Sequence, residues 1–151
     1  KLSTRAGPGN FHMLPNGVFW KSYKKGQPRL HVAATPVYQK ADPDTVRFAT
    51  QSGPMLVIDG ELHPKFMKDS RSIKRRNGVG ISPGGSRIFF AISEEPVNFH
   101  SFARLFKDHL KTPNALYLDG NVSRIRAPGL GRDDAGFTPL GPIIGVVESA
   151  K

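Results

Sequence analysis

Apolar residues along this chain recur in short alternating or continuous runs, broken by Gly, Pro, Asn and Asp, which is how short strands joined by turns are written. "GNFHMLPNGVFWKSY" sets Asn16-Gly17 between two apolar runs and predicts a hairpin there, because both residues tolerate positive φ. "RLHVAATPVY" and "TVRFAT" read as further strands. "GPMLVIDGELH" repeats the hairpin device with Asp59-Gly60, and "GVGISPGGSRIFFAIS" repeats it with Pro83-Gly84-Gly85. One segment changes period: Phe99, Phe102, Ala103, Phe106 and Leu110 recur at helical spacing, with Asn98 placed to cap the helix and Pro113 beyond its end. The strand "ALYLD" follows, then the Gly/Pro-rich "RAPGLGRDDAGFTPLG", then a last strand "PIIGVVES".

Many short strands with one good helix make an α+β domain, a mixed, hairpin-rich β-sheet system with few packed helices. The strands around Val57, Val79, Phe90 and Leu118 are expected in one sheet system, with the aromatic face of the helix packed on it. The 151 residues suffice for one domain with a real core, and no repeat or low-complexity tract divides them.

Composition narrows the partner. Lys and Arg number 22 against 12 Asp and Glu, a formal charge of +10, so an anionic partner is favoured: a phosphorylated sugar, an acidic glycan or another polyanion. A nucleic-acid reader would add a recognisable module, and zinc-finger spacing, basic heptads and ribonucleoprotein aromatics are all missing, so charge alone speaks for nucleic acid. The absence of cysteine excludes disulfides and a thiolate nucleophile. No stretch approaches the roughly 20 apolar residues of a membrane span. His12, His31, His63, His100 and His109 show no HExxH or clustered spacing, so no metal site is expected, and no Gly-rich loop calls for a nucleotide cofactor.

Polar groups adjoin strand ends at several places. Gln51, Ser52 and Gly53 precede an apolar strand, where Gly53 would let the backbone approach a ligand and the side chains would bond it; a turn before a strand explains them as well. "KFMKDSRSIKRRNGVG" carries Lys65, Lys68, Arg71, Lys74, Arg75 and Arg76, a phosphate-binding loop or a solvated one. Arg76 stands out because it abuts the strand beginning at Asn77. Glu94 and Glu95 end a strand before the helix, where the dipole stabilises acids whether or not they act as general acid or base. His63 lies near the basic loop. "ALYLDGNVSR" presents Asp119, Gly120, Asn121, Ser123 and Arg124, either as a site or as an ordinary Asp-Gly turn.

Taken in order, "ATQSGPMLVIDGELHP", "RRNGVGIS", "FAISEEPVNFHSFARLF" and "NALYLDGNVS" resemble the phosphodiester glycosidase family, in particular its short bacterial members. The animal member of that family is the uncovering enzyme that removes N-acetylglucosamine from phosphomannosyl tags. The resemblance runs from Gly9 to Val147. It implies a glycoside hydrolase that cleaves between a sugar's anomeric carbon and a phosphodiester, without cofactor, in the periplasm or outside the cell. The family's arginine before a glycine-containing strand falls on Arg76, and its Leu-Asp-Gly-Gly-Gly-Ser signature falls on Leu118, Asp119, Gly120 and Ser123, with Asn121 and Val122 in place of the later glycines. This makes Asp119 and Arg76 the catalytic candidates and Gln51, Ser52, Gly53, Asn77, Gly120 and Ser123 the substrate-binding ones. Glu94, His63 and Arg124 are weaker candidates. The family's asparagine-glycine strand motif near the domain start finds no match, so an N-terminal portion is expected upstream of Lys1. The rival reading is a non-catalytic module that binds an anionic glycan or other polyanion on the same fold. If the site is real, Arg76, Ser52, Asp119 and Ser123 must converge on one pocket.

Overall fold

The computed structural model describes residues 2, 4, 13–120, 122–141 and 143–147. Strands β1 (Gly17–Lys24), β2 (Gln27–Ala34) and β3 (Val46–Ser52) form one sheet in the order β2-β1-β3. Strands β4 (Met55–Ile58), β5 (Glu61–Leu62), β6 (Asn77–Ile81), β7 (Ile88–Ile92) and β8 (Asn114–Asp119) form a second, ordered β5-β4-β8-β6-β7. A small hairpin, β9 (Arg126–Ala127) with β10 (Arg132–Asp133), completes the set. Every pairing among the described residues is antiparallel. The fold is α+β and dominated by hairpins, as the turn spacing implies.

Two turns are where the dipeptides place them. Asp59 and Gly60 both take positive φ, 48° and 86°, and reverse the chain between β4 and β5. Pro83–Gly85 joins β6 to β7 through a 3-10 turn. The hairpin expected at Asn16-Gly17 does not form. Gly17 opens β1 with neither residue at positive φ, and the reversal falls instead at Lys25-Gly26, φ 50° and 77°. Gly17 is a glycine for steric reasons: a Cβ there would overlap Met55 and sit 2.9 Å from Leu116 Cδ1. The strand read through "RLHVAATPVY" stops at Ala34, and Thr35–Tyr38 turn into a short helix, α1, with Pro36 in its first turn. The expected last strand is also absent among described residues 143–147: Ile144 reaches the core while Ile143, Val146 and Val147 stay exposed.

The helix, α2 (Phe99–Arg104), continues as a wider π turn over Leu105–His109. Asn98 caps it, its Oδ1 accepting from Ser101 N at 2.9 Å. Its inner face buries Phe102, Ala103 and Phe106 against Leu56, Val57, Ala115 and Tyr117 of the five-stranded sheet. Each buried phenyl ring contributes about 2–3 kcal/mol, enough to fix which face looks inward. The close approach requires small residues on the sheet: a Cβ at Gly80 would lie 2.7 Å from Phe106 and one at Gly78 would lie 3.2 Å from Phe102. The other face of β8 and β6 meets the first sheet through Phe19, Val32, Met55, Val79, Ile81 and Leu116. Strands β6 and β8 are thus covered on both sides, and their ends are the natural place for exposed chemistry.

Candidate functional site

Strand β8 carries an irregularity at its end. Gly78 pairs with Tyr117 and Asn77 with Asp119, so Leu118 is an extra residue opposite the β6 ladder. Such a bulge frees a carbonyl and re-aims the residues beyond it. The freed Leu118 carbonyl accepts a bond from Ser52 Oγ at 2.7 Å, and Asn77 Oδ1 accepts from the Asp119 amide at 2.7 Å. Side chains from β3 and β6 therefore hold the end of β8 in place. The Asp119 carboxylate accepts from the next amide, Gly120, and the residue stays exposed.

Asp119-Gly120 is not the turn that Asp59-Gly60 is. Neither residue takes positive φ. Gly120 is buried, and a Cβ there would overlap the Tyr117 hydroxyl and lie 2.6 Å from the Arg75 carbonyl. The glycine is required by crowding between β8 and the head of β6.

Arg76 is 2% exposed. Its Nε donates to the Val97 carbonyl at 2.8 Å and its Nη2 to the Ser72 carbonyl at 2.9 Å. The guanidinium lies 3.6 Å from the centre of the Phe99 ring and 5.6 Å from that of Tyr117. Phe99 stacks on Phe66, and Phe66 on His63, so a ladder of rings backs the cation. Burial pushes the Arg76 pKa down, and the Tyr117 hydroxyl acts in the opposite direction. No carboxylate pairs with Arg76 among the described residues. Its main-chain amide donates to Ser93 Oγ at 2.9 Å, which locks the residue to the end of β7.

The remaining predicted residues divide. Ser52, Asn77, Asp119 and Gly120 meet at one end of the β6–β8 pair, and Ser123 joins them by donating its amide to the Gly120 carbonyl at 3.1 Å; the Arg76 side chain, one residue before Asn77, turns instead to Val97, Ser72 and Phe99. Gly53 follows Ser52 and packs under Asn16, whose Oδ1 a Cβ there would overlap. Gln51 turns toward Thr35, donating to its Oγ1 at 3.3 Å. Arg124 is engaged with the Thr138 carbonyl at 2.9 Å, in the C-terminal segment. Asn121 and His12 lie outside the described residues.

His63 is 1% exposed, donates Nε2–H to the Leu14 carbonyl at 2.9 Å and accepts from the Lys65 amide through Nδ1. Burial lowers its pKa, and its ring stacks on Phe66. Glu94 is paired with Arg132, and Arg75 stands 3.8 Å away. The hydrogen bond from Arg132 holds the Glu94 carboxyl below the usual carboxylate range. In this structure the Glu94 carboxylate is engaged by Arg132 and Arg75. Arg132 and Arg75 also reach Asp134, and this network fastens the β9–β10 hairpin beside the site.

Sequence reading overlooked Tyr117, because within "ALYLD" it looks like ordinary strand filling; a hydroxyl among aliphatic neighbours was the available signal. Asn16, which has the composition of a turn residue, is 4% exposed, and its Oδ1 has no partner among the described residues. A separate cleft of about 270 Å³, lined among others by Trp20, His31, Ile81, Ser82 and Asn114, opens at the opposite ends of β6 and β8. Nothing in the sequence pattern pointed to it. Among the described residues, no group of three or more His, Asp or Glu is placed to hold a metal ion, and no helix is long and apolar enough to cross a membrane.

Comparison with known proteins adds an independent line. A family model described as phosphodiester glycosidase matches residues 2–145. The chain is 37% identical over 129 residues to the uncharacterized protein YigE of Escherichia coli (strain K12), an alignment covering 85% of this chain and 48% of that protein. The chain thus spans about half the length of the curated relative that it matches. No solved structure matches it.

Proposed function

The chain belongs to the phosphodiester glycosidase family, and from that premise we propose that it hydrolyses the bond between a sugar's anomeric carbon and a phosphodiester oxygen. One juxtaposition supports this most: Arg76, a buried cation without a carboxylate partner among the described residues, immediately precedes Asn77, whose side chain positions the exposed Asp119.

The division of labour follows from exposure. Asp119 is the group that can meet a substrate, whereas Arg76 is enclosed and acts through its field, which falls off slowly where water is excluded. The departing group is a phosphomonoester, which leaves readily once its developing charge is compensated, so a cationic neighbourhood matters more here than a strong general acid. Asp119 then steadies the oxocarbenium-like sugar or activates water, as carboxylates do in glycosidases generally. Ser52 and Asn77 hold the strand end that carries it. Glu94 is left in its ion pairs. The substrate class is a glycosyl phosphodiester, and the proposed place of action is the periplasm or the extracellular space, the compartment expected from the family resemblance.

The test is incubation with methyl phosphodiesters of common sugar 1-phosphates and measurement of released reducing sugar. Turnover is expected for the natural protein and a loss of about a hundredfold or more in kcat for Asp119→Asn, with binding weakened little. The exposed basic residues Lys65, Lys68, Arg71 and Lys74 favour a second reading, a polyanion-binding module without catalysis. Binding of an anionic glycan with no reducing sugar released from any diester would establish that reading instead.

A further inference from the structure

Tyr117 touches each part of the site that the sequence keeps apart. It is 3% exposed on β8. Its amide donates to the Pro54 carbonyl at 3.1 Å, tying it to the segment after Ser52. Its ring receives the edge of Phe99, with centres 4.9 Å apart at 85°, and Phe99 carries the Arg76 guanidinium on its face. Its hydroxyl fills the space that a Gly120 side chain would need, so it rests directly against the Asp119–Gly120 backbone.

We propose that Tyr117 is a positioning residue of this site, its hydroxyl acting as the spacer that sets the Asp119–Gly120 segment at a fixed distance from the buried Arg76 cation. The proposal deepens the glycosidase reading and rests on it. A phenyl ring in place of the phenol would fill the core equally well, so core packing alone does not require the hydroxyl. What places it is contact with a glycine that cannot be enlarged on one side, while its ring centre lies 5.6 Å from the Arg76 guanidinium on the other. Burial raises the Tyr117 pKa, with Arg76 opposing the rise and the Asp119 charge adding to it. In a site of this kind a displacement near 1 Å carries a rate cost of about a hundredfold.

Two substitutions break the same contact from its two sides. Tyr117→Phe removes the oxygen, and Gly120→Ala displaces it. Steady-state kinetics on the methyl phosphodiester panel should show for Tyr117→Phe a loss of about ten- to a hundredfold that falls on kcat, with KM little changed and the melting midpoint within a few degrees of the natural protein. The double variant should lose no more than Gly120→Ala alone, because residues sharing one contact are not additive. Unchanged kcat in Tyr117→Phe, a loss confined to KM, or fully additive losses would overturn the proposal. If the natural protein cleaves none of the diesters, the glycosidase reading fails, and Tyr117 is judged without substrate by amide hydrogen exchange. Exchange at Gly120 should then quicken about tenfold or more in Tyr117→Phe while Val79 in β6 is unaffected; an unchanged Gly120 amide would refute the spacer role.

Discussion

A guanidinium taken out of water must find polar partners or a compensating charge. Arg76 finds two carbonyls and an aromatic face, which engage it without neutralising it. Lysine keeps the charge but neither the planar fork nor the stack. Arg76→Lys is therefore expected to cost about 2–3 kcal/mol of stability through lost charge-assisted bonds and to abolish most activity on glycosyl phosphodiesters. Thermal unfolding and kinetics on one preparation check both parts, and a stable, active Arg76→Lys protein would remove Arg76 from the site. The special standing of Arg76 among its basic neighbours was legible in the sequence from its place beside "NGVGI". Its burial was not, since that depends on Phe99 and Val97 arriving from some 20 positions downstream.

At the scale of elements, the β9–β10 hairpin has little apolar contact of its own, and charges hold it. Arg132 bridges Glu94 and Asp134, Arg75 reaches Asp134, and the Asp134 carboxylate also accepts from the Ile125 amide at 3.0 Å. Arg132 holds both carboxyls below their ordinary range. A group whose folded pKa is depressed stabilises the fold above its unfolded pKa, about 4, and loses that contribution as pH falls through the folded value. Acidification from pH 5 toward pH 2 should loosen this hairpin before α2 or the five-stranded sheet. Backbone NMR can follow it: the Ile125 signal should lose its native position while Phe102 and Val79 keep theirs. Simultaneous loss of all three would mean that the hairpin is fastened by something other than these ion pairs. The helix and its neighbours were readable because their period and cap are local, whereas this hairpin depends on Glu94 and Arg132, 38 positions apart.

For the whole molecule, the +10 charge places a diffuse positive field around a site whose own cation is buried. Exposed Lys68 and Lys74 belong to that field and not to the strand end. Lys68→Ala and Lys74→Ala should raise KM for an anionic substrate modestly at low salt and have almost no effect near 0.5 M, where screening shortens the reach of surface charge to about 4 Å. The Arg76→Lys defect should persist at both salt concentrations, because a buried group is screened far less. Equal, salt-sensitive losses in all three variants would show the basic loop to be one cationic surface without a privileged member.

By itself the sequence determined what local interactions decide: the alternation of strands, the Asp59-Gly60 and Pro83–Gly85 turns, the capped aromatic helix and the order of the family motifs. Only the tertiary structure decided what depends on who comes to lie opposite whom. Asn16-Gly17 has the composition of a turn yet forms none, because Met55 and Leu116 press on Gly17. Asp119-Gly120 has the same composition as Asp59-Gly60 and a different cause, the Tyr117 hydroxyl and the Arg75 carbonyl. A backbone dihedral preference is a property of one residue and can be read in one dimension. Close approach is a property of a pair, and the pair exists only once the strands have met.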